Sequence, residues 1–151
     1  MKKLVVVAII ILTTIAETSA QSYEYKIITS VESIVPMGIG RSRIISSNQE
    51  QNYLDFTSQR TAKNKKQNKS KRSAVKIDNF EETKLVNFYS IAGINFKNIA
   101  SNDAVMSSKI NTMVSEGWDL AFVTSGVESD AGKSDGKGIY ITRYIFKRLK
   151  Q

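Results

Sequence analysis

The stretch that decides the fold is SNDAVMSSKINTMVSEGWDLAFV, residues 101–123. Ser101, Asn102 and Asp103 are good N-cap residues, because their side-chain oxygens accept from the free amides of a first helical turn. After them Met106, Ile110, Met113 and Val114 recur at spacings of four, three and one, the stripe of an amphipathic helix. Gly117 stands where a left-handed cap would end that helix. Trp118–Val123 follows at once with strand composition, placing Trp118, Leu120 and Phe122 on one parity.

Working outward, Ser125–Gly138 is rich in Gly, Ser and Asp and reads as a loop. Ile139–Arg148 closes the chain as a long strand with two mixed faces, Ile139, Ile141 and Ile145 on one and Tyr140, Tyr144 and Phe146 on the other. A tight helix-to-strand turn followed by a hairpin predicts an α+β fold: a small antiparallel sheet with one amphipathic helix packed on one face.

Upstream, Tyr23–Val35 has strand composition, with Tyr23, Tyr25, Ile27 and Val31 predicted on the buried face and Glu24, Lys26, Ser30 and Glu32 in water. Pro36, Gly38 and Gly40 mark a turn, and 41–46 reads as a second short strand carrying Ile44 and Ile45. Lys84–Ile91 reads as another strand through Leu85, Val86, Phe88 and Tyr89, and Gly93 interrupts it before Ile94 and Phe96.

The first twenty residues read as an address. Lys2 and Lys3 precede a largely apolar run from Leu4 to Ala16, and Thr18-Ser19-Ala20 places small residues before a cut ahead of Gln21. That order is a secretory signal peptide, and the run is short of the roughly 20 apolar residues of a membrane span. The expectation is a periplasmic or secreted protein, residues 21–151 forming one α+β domain with no integral membrane span after cleavage.

The 151-residue chain has no cysteine and no histidine. Disulfides, thiol catalysis and lipid attachment through cysteine are excluded, as are serine–histidine triads. Neither a cofactor nor a metal is expected, and no pair of carboxylates stands out for acid–base work. The reading is a non-catalytic binding or accessory module whose ligand and partner the sequence leaves open.

Charge is the one uneven feature. Residues 60–76 hold Arg60, Lys63, Lys65, Lys66, Lys69, Lys71, Arg72 and Lys76 with no acidic residue. Beyond the leader the chain nets +7, and without this stretch it nets −1. Self-repulsion and scarce apolar content predict a flexible insert over about 57–76. As a site, those eight cations are the candidate polyanion-binding residues. They suit anionic envelope polymers such as polysaccharide, lipid headgroups or nucleic acid, although no aromatic residue is interleaved to stack on bases.

Two tempting motifs dissolve on inspection. Gly132-Lys133-Ser134 resembles the end of a phosphate-binding loop, but Val127 stands where its upstream glycine is needed and a strand follows. Glu128, Asp130 and Asp135 offer oxygen ligands for calcium, but Ala131 and Lys133 occupy two of the alternate ligand positions.

Three short segments carry a resemblance. Tyr23-Glu24-Tyr25-Lys26, Glu116-Gly117-Trp118-Asp119-Leu120 and Phe146-Lys147-Arg148 resemble a small bacterial family of unknown function with the order W/Y-E-Y-K, E-G-W-E-L, F-K-R. The chain as a whole is similar to secreted hypothetical proteins of Bacteroidetes-type bacteria. Asp119 departs from the usual Glu, and residues 31–97 form a longer connection than is usual there. The resemblance implies a small sheet backed by one helix and no particular activity. In structural terms, Gly117 is expected to cap the helix, Trp118 to fill the helix–sheet interface, Phe146 to lie across from it, and Lys147 and Arg148 to form an exposed strand end.

Overall fold

A computed structural model describes residues 21–35, 41–90, 92–129, 133 and 138–150. The predicted signal peptide at 1–20, the turn predicted at Pro36–Gly40 and most of the loop predicted over 130–137 lie outside the described residues. A five-stranded antiparallel sheet dominates the fold. Its strands are β1 (Tyr23–Ser33), β2 (Arg43–Ser47), β3 (Phe80–Lys84), β6 (Asp119–Glu128) and β7 (Ile139–Leu149), in the order β3-β2-β1-β7-β6. Between β2 and β3 come a 3₁₀ turn (Tyr53–Phe56) and a single-turn helix α1 (Arg72–Val75); a two-residue ladder, β4 (Tyr89–Ser90) with β5 (Gly93–Ile94), precedes the long helix α2 (Phe96–Ser115).

The core lies between α2 and one face of the sheet. Met106 and Met113 of α2 pack with Ile28 of β1, Ile44 of β2, Phe146 of β7, Leu85 and Trp118, and half-buried Ile110 and Tyr144 lean on the same cluster. Small hydroxyl residues fill the remaining buried positions, Ser30, Ser46 and Thr142 among them. They leave room for the bulky Met, Trp and Phe side chains above them. Burial pushes the Tyr144 phenol above its usual range; the charges of Glu32 and Asp103 add to this and a hydrogen bond with Ser30 opposes it.

Several expectations need correction. The faces of β1 are reversed. Ile28 and Ser30 are 1% and 3% exposed, whereas Tyr25 and Ile27 are 62% and 51% exposed. A two-layer fold covers one sheet face only, and the tyrosine-bearing parity is the uncovered one, on which phenol hydroxyls reach water.

The long helix begins at Phe96, not after the Ser101–Asp103 cluster. Asn95 is its N-cap, its side chain accepting from the Lys97 and Asn98 amides at 3.1 and 3.4 Å. Asn102 turns inward instead. Of the strand predicted over 84–91, Lys84 ends β3 (Phe80–Lys84), where every residue is exposed, and Tyr89–Ser90 form the short β4; 85–88 are not strand. Leu85 leaves the sheet to enter the core, its amide still bonded to the Ser42 carbonyl.

β6 continues to Glu128, through the first residues assigned to a loop. A bulge between Leu120 and Phe122 splits their predicted common face: Leu120 lies opposite Phe146 on the helix side, and Phe122 opposite Ile145 on the uncovered side. The extra residue of a bulge reverses side-chain parity. The closing strand and its two faces match the expectation, as does the Gly117 cap. Gly117 has φ +82°, its amide bonds to the Val114 carbonyl, and the Trp118 amide bonds to the Met113 carbonyl, both at 3.0 Å. Those two bonds are a Schellman motif, which favours glycine at the left-handed position.

Candidate functional site

The three segments that carry the family resemblance converge at one end of the sheet. β1 and β7 pair along their full lengths, which sets Glu24 opposite Arg148 and Tyr25 opposite Lys147. The Schellman turn at Gly117 delivers Trp118 to the same place. The Arg148 guanidinium stacks on the indole of Trp118 at 4.3 Å from the ring centre. Its Nε and Nη2 both donate to Glu24 Oε1 at 2.7 Å, and Nη1 donates to the Glu116 carbonyl at 3.2 Å. Lys147 Nζ lies 5.0 Å above the Tyr23 ring.

Trp118 is buried and Phe146 fully so, as expected. Arg148 is not the exposed strand end that was expected. A guanidinium flattened on an indole and forked onto a carboxylate is held in one orientation.

Beside this cluster lies an open cleft of about 640 Å³, walled by Glu24–Ile27 of β1, by Ser47–Gln51, and by Trp118 and Arg148. It follows from unequal strand lengths. β2 pairs only with Ile28–Val31, so among the described residues no strand lies beside the Tyr23–Ile27 half of β1 on that side. After Ser47 the chain turns away, the Ser47 hydroxyl donating to the Gln49 carbonyl and the Asn48 amide to the Asn79 carbonyl. A strand edge beside an aromatic–guanidinium pair offers both backbone and side-chain contacts to an extended ligand. In the sequence Glu24 and Arg148 stand out only as motif members. Nothing in it singled out Ser47–Gln51, whose role comes from where β2 ends.

The eight cations of the basic segment are placed differently. Arg60, Lys63, Lys65, Lys66, Lys69, Lys71, Arg72 and Lys76 are all exposed. The three ion pairs among the described residues join Arg43 to Glu82, Lys109 to Glu81 and Arg148 to Glu24, and so involve none of the eight. The segment closes on itself through Asn68, which accepts from the Ser70 amide at 2.7 Å and donates to the Asp55 and Thr57 carbonyls. Gln51 donates to the Val75 carbonyl at its root.

Elsewhere, carboxylates are engaged in fastening elements together. Lys109 of α2 hydrogen-bonds Glu81 of β3 at 3.3 Å and holds that carboxyl below its usual range. Asn102 donates to Glu32 at 2.8 Å. Among the described residues no group of three or more acidic side chains is placed to hold a metal, and no helix is long and apolar enough to cross a membrane. Of the acidic loop residues weighed for calcium, Asp130 and Asp135 lie outside the described residues, as do Gly132 and Ser134. No family model matches the chain, and no curated protein or solved structure matches it either.

Proposed function

We propose that this chain is an exported, non-catalytic binding or accessory module, related to the small bacterial family with the Y-E-Y-K, E-G-W-E-L, F-K-R order. The disposition of its carboxylates supports a non-catalytic role: Glu24, Glu32, Glu81 and Glu82 each fasten one element to another. Convergence of the three motif segments in one cluster supports the relationship. Export rests on the charge–apolar–small order of residues 1–20. N-terminal sequencing of protein from an expressing bacterium should return Gln21; Met1 would overturn the export reading.

A narrower reading names the ligand class. The observation that carries it is the set of eight exposed cations over 60–76, none paired with a carboxylate among the described residues. Such a density attracts a polyanion by counterion release. Any clustered charge binds at low salt, so the deciding quantity is retention on heparin or acidic vesicles at physiological ionic strength, where the Debye length is about 8 Å. The polyanion reading expects retention there, a fall of about a thousandfold or more between about 50 and 200 mM salt, and its disappearance on deletion of 60–76. The deletion should barely move the melting temperature, because the segment sends no side chain into the core and loop closure costs only about 0.6 kcal/mol per doubling of length. Elution below physiological salt would leave the segment a solvated insert and the ligand to be sought at the Trp118 cleft.

A further inference from the structure

The two edges of the sheet are built in opposite ways. β3 is five residues long and reads Phe80-Glu81-Glu82-Thr83-Lys84, with three charged side chains. Short, charged edge strands discourage pairing with another chain. β6 is ten residues long, and from Leu120 to Val127 it has no charged residue and no proline. It has β7 on one side and no described strand on the other. Apolar side chains stand out on both of its faces, Phe122 69% exposed on one and Val123 and Val127 53% and 60% exposed on the other.

We propose that β6 is a self-association strand, pairing antiparallel with β6 of a second copy to join two five-stranded sheets into one of ten. A two-fold axis perpendicular to the sheet keeps each face on its own side; it passes midway between one residue and the same residue of the partner strand, and sets its neighbours against their mirrors. With the axis at Thr124, Phe122 of each copy lies opposite Gly126 of the other. Nothing lies within 4 Å of the place a Cβ would take at Gly126, so the glycine offers an open seat to the incoming ring, and the symmetry supplies that contact twice. An aromatic laid over a cross-strand glycine is a known device for pinning register. On the helix side Val123 meets Ser125.

Charge does not bar a second copy here despite the basic pI, although Arg143 of β7 stands opposite Thr124. The eight cations are rooted between β2 and β3, at the far edge of the sheet. Four strand spacings separate that edge from β6, about 19 Å, more than two Debye lengths at physiological salt. The acidic ends of β6, Asp119 and Glu128, lie outside the paired centre.

The test is the solution mass of protein recovered after expression of the full chain, measured by light scattering across concentrations up to about 100 µM, where a modest interface is populated. A dimer is expected. Phe122→Lys and Val123→Lys should each weaken it at least about tenfold by placing like charges beside the axis, and Gly126→Val should weaken it by filling the seat. Phe80→Lys, at the defended edge, should leave it unchanged. A monomer throughout, or a dimer indifferent to the β6 substitutions or equally lost with Phe80→Lys, would overturn the assignment. Should a lysine variant fail to fold, hydrogen exchange of the unaltered chain decides: amides of 122–126 should gain protection with concentration, and their indifference to concentration would refute the pairing.

Discussion

Replacing Trp118 with Ala is expected to destabilise the protein by about 3–5 kcal/mol, the range for truncating a large buried aromatic. In a domain of this size that lowers the melting temperature by about 10–20 °C. The indole is 7% exposed and joins Met106 and Met113 of α2 to Phe146 of β7. Its outer face carries the Arg148 guanidinium, so the substitution both opens a cavity and removes the surface on which Arg148 lies. Trp118→Phe should recover part of the loss, since a ring remains to fill the space and to receive the cation. Chemical denaturation of the two variants beside the unaltered chain checks this. A loss under about 1 kcal/mol for Trp118→Ala, typical of surface sites, would mean that the indole is a surface group, and the cleft beside it would then have a ligand-contact residue rather than a structural wall.

The elements that the sequence announced clearly are those in which local chemistry and long-range packing agree. Gly117 is both the residue a left-handed cap requires and the point at which the chain must reverse into β6, so one glycine marks both. The final strand is apolar on both parities, and the structure uses both, burying Phe146 under the helix while Ile139, Ile141 and Ile145 line the uncovered face. β1 misled for the opposite reason. Its more apolar parity faces outward, because the buried side of a strand is fixed by which face the helix crosses over. That choice resides in the connection, not in the strand's own alternation. The bulge near Ala121 is equally silent: nothing in Leu120-Ala121-Phe122 distinguishes two residues on one face from two on opposite faces.

The site was legible as members and not as a place. Tyr23-Glu24-Tyr25-Lys26 and Phe146-Lys147-Arg148 stand at opposite ends of the sequence and meet because β1 and β7 are paired over eleven residues. Antiparallel pairing of the first and last described strands is a tertiary fact. The stacking of Arg148 on Trp118 and its fork onto Glu24 follow from that pairing and from the Schellman turn together. The cleft needs one fact more, the early end of β2. The basic segment is the converse case, since charge density is a property of composition and survives any arrangement of the chain.

Asn102 shows how a correct local reading can conceal a larger role, and it makes the second large effect. Its type suits a helix cap, yet it lies in the second turn of α2, 4% exposed. Its Oδ1 accepts from the Val86 amide at 2.9 Å, and its Nδ2 donates to the Val86 carbonyl and to Glu32 Oε1, each at 2.8 Å. One side chain thus ties the segment that follows β3 to both the helix and β1. Asn98, one turn earlier, donates to the Asn87 carbonyl at 2.6 Å and secures the same segment.

Asn102→Ala should cost about 2–4 kcal/mol, because three hydrogen bonds are lost and their partners are only partly able to recover water. Asn102→Asp separates the two halves of this role. The carboxylate retains an acceptor for the Val86 amide but has no proton to give the Val86 carbonyl or Glu32, and it sets a second negative charge against the first. At neutral pH it should therefore be at least as destabilising as Asn102→Ala. Acidification lets the new carboxyl at position 102 take up a proton and donate again, so N102D should regain stability relative to N102A as pH falls. Denaturation of both variants at neutral and acid pH measures the crossing. Parallel pH profiles would mean that Glu32 is not the partner of this side chain, and the tie would then rest on Val86 alone.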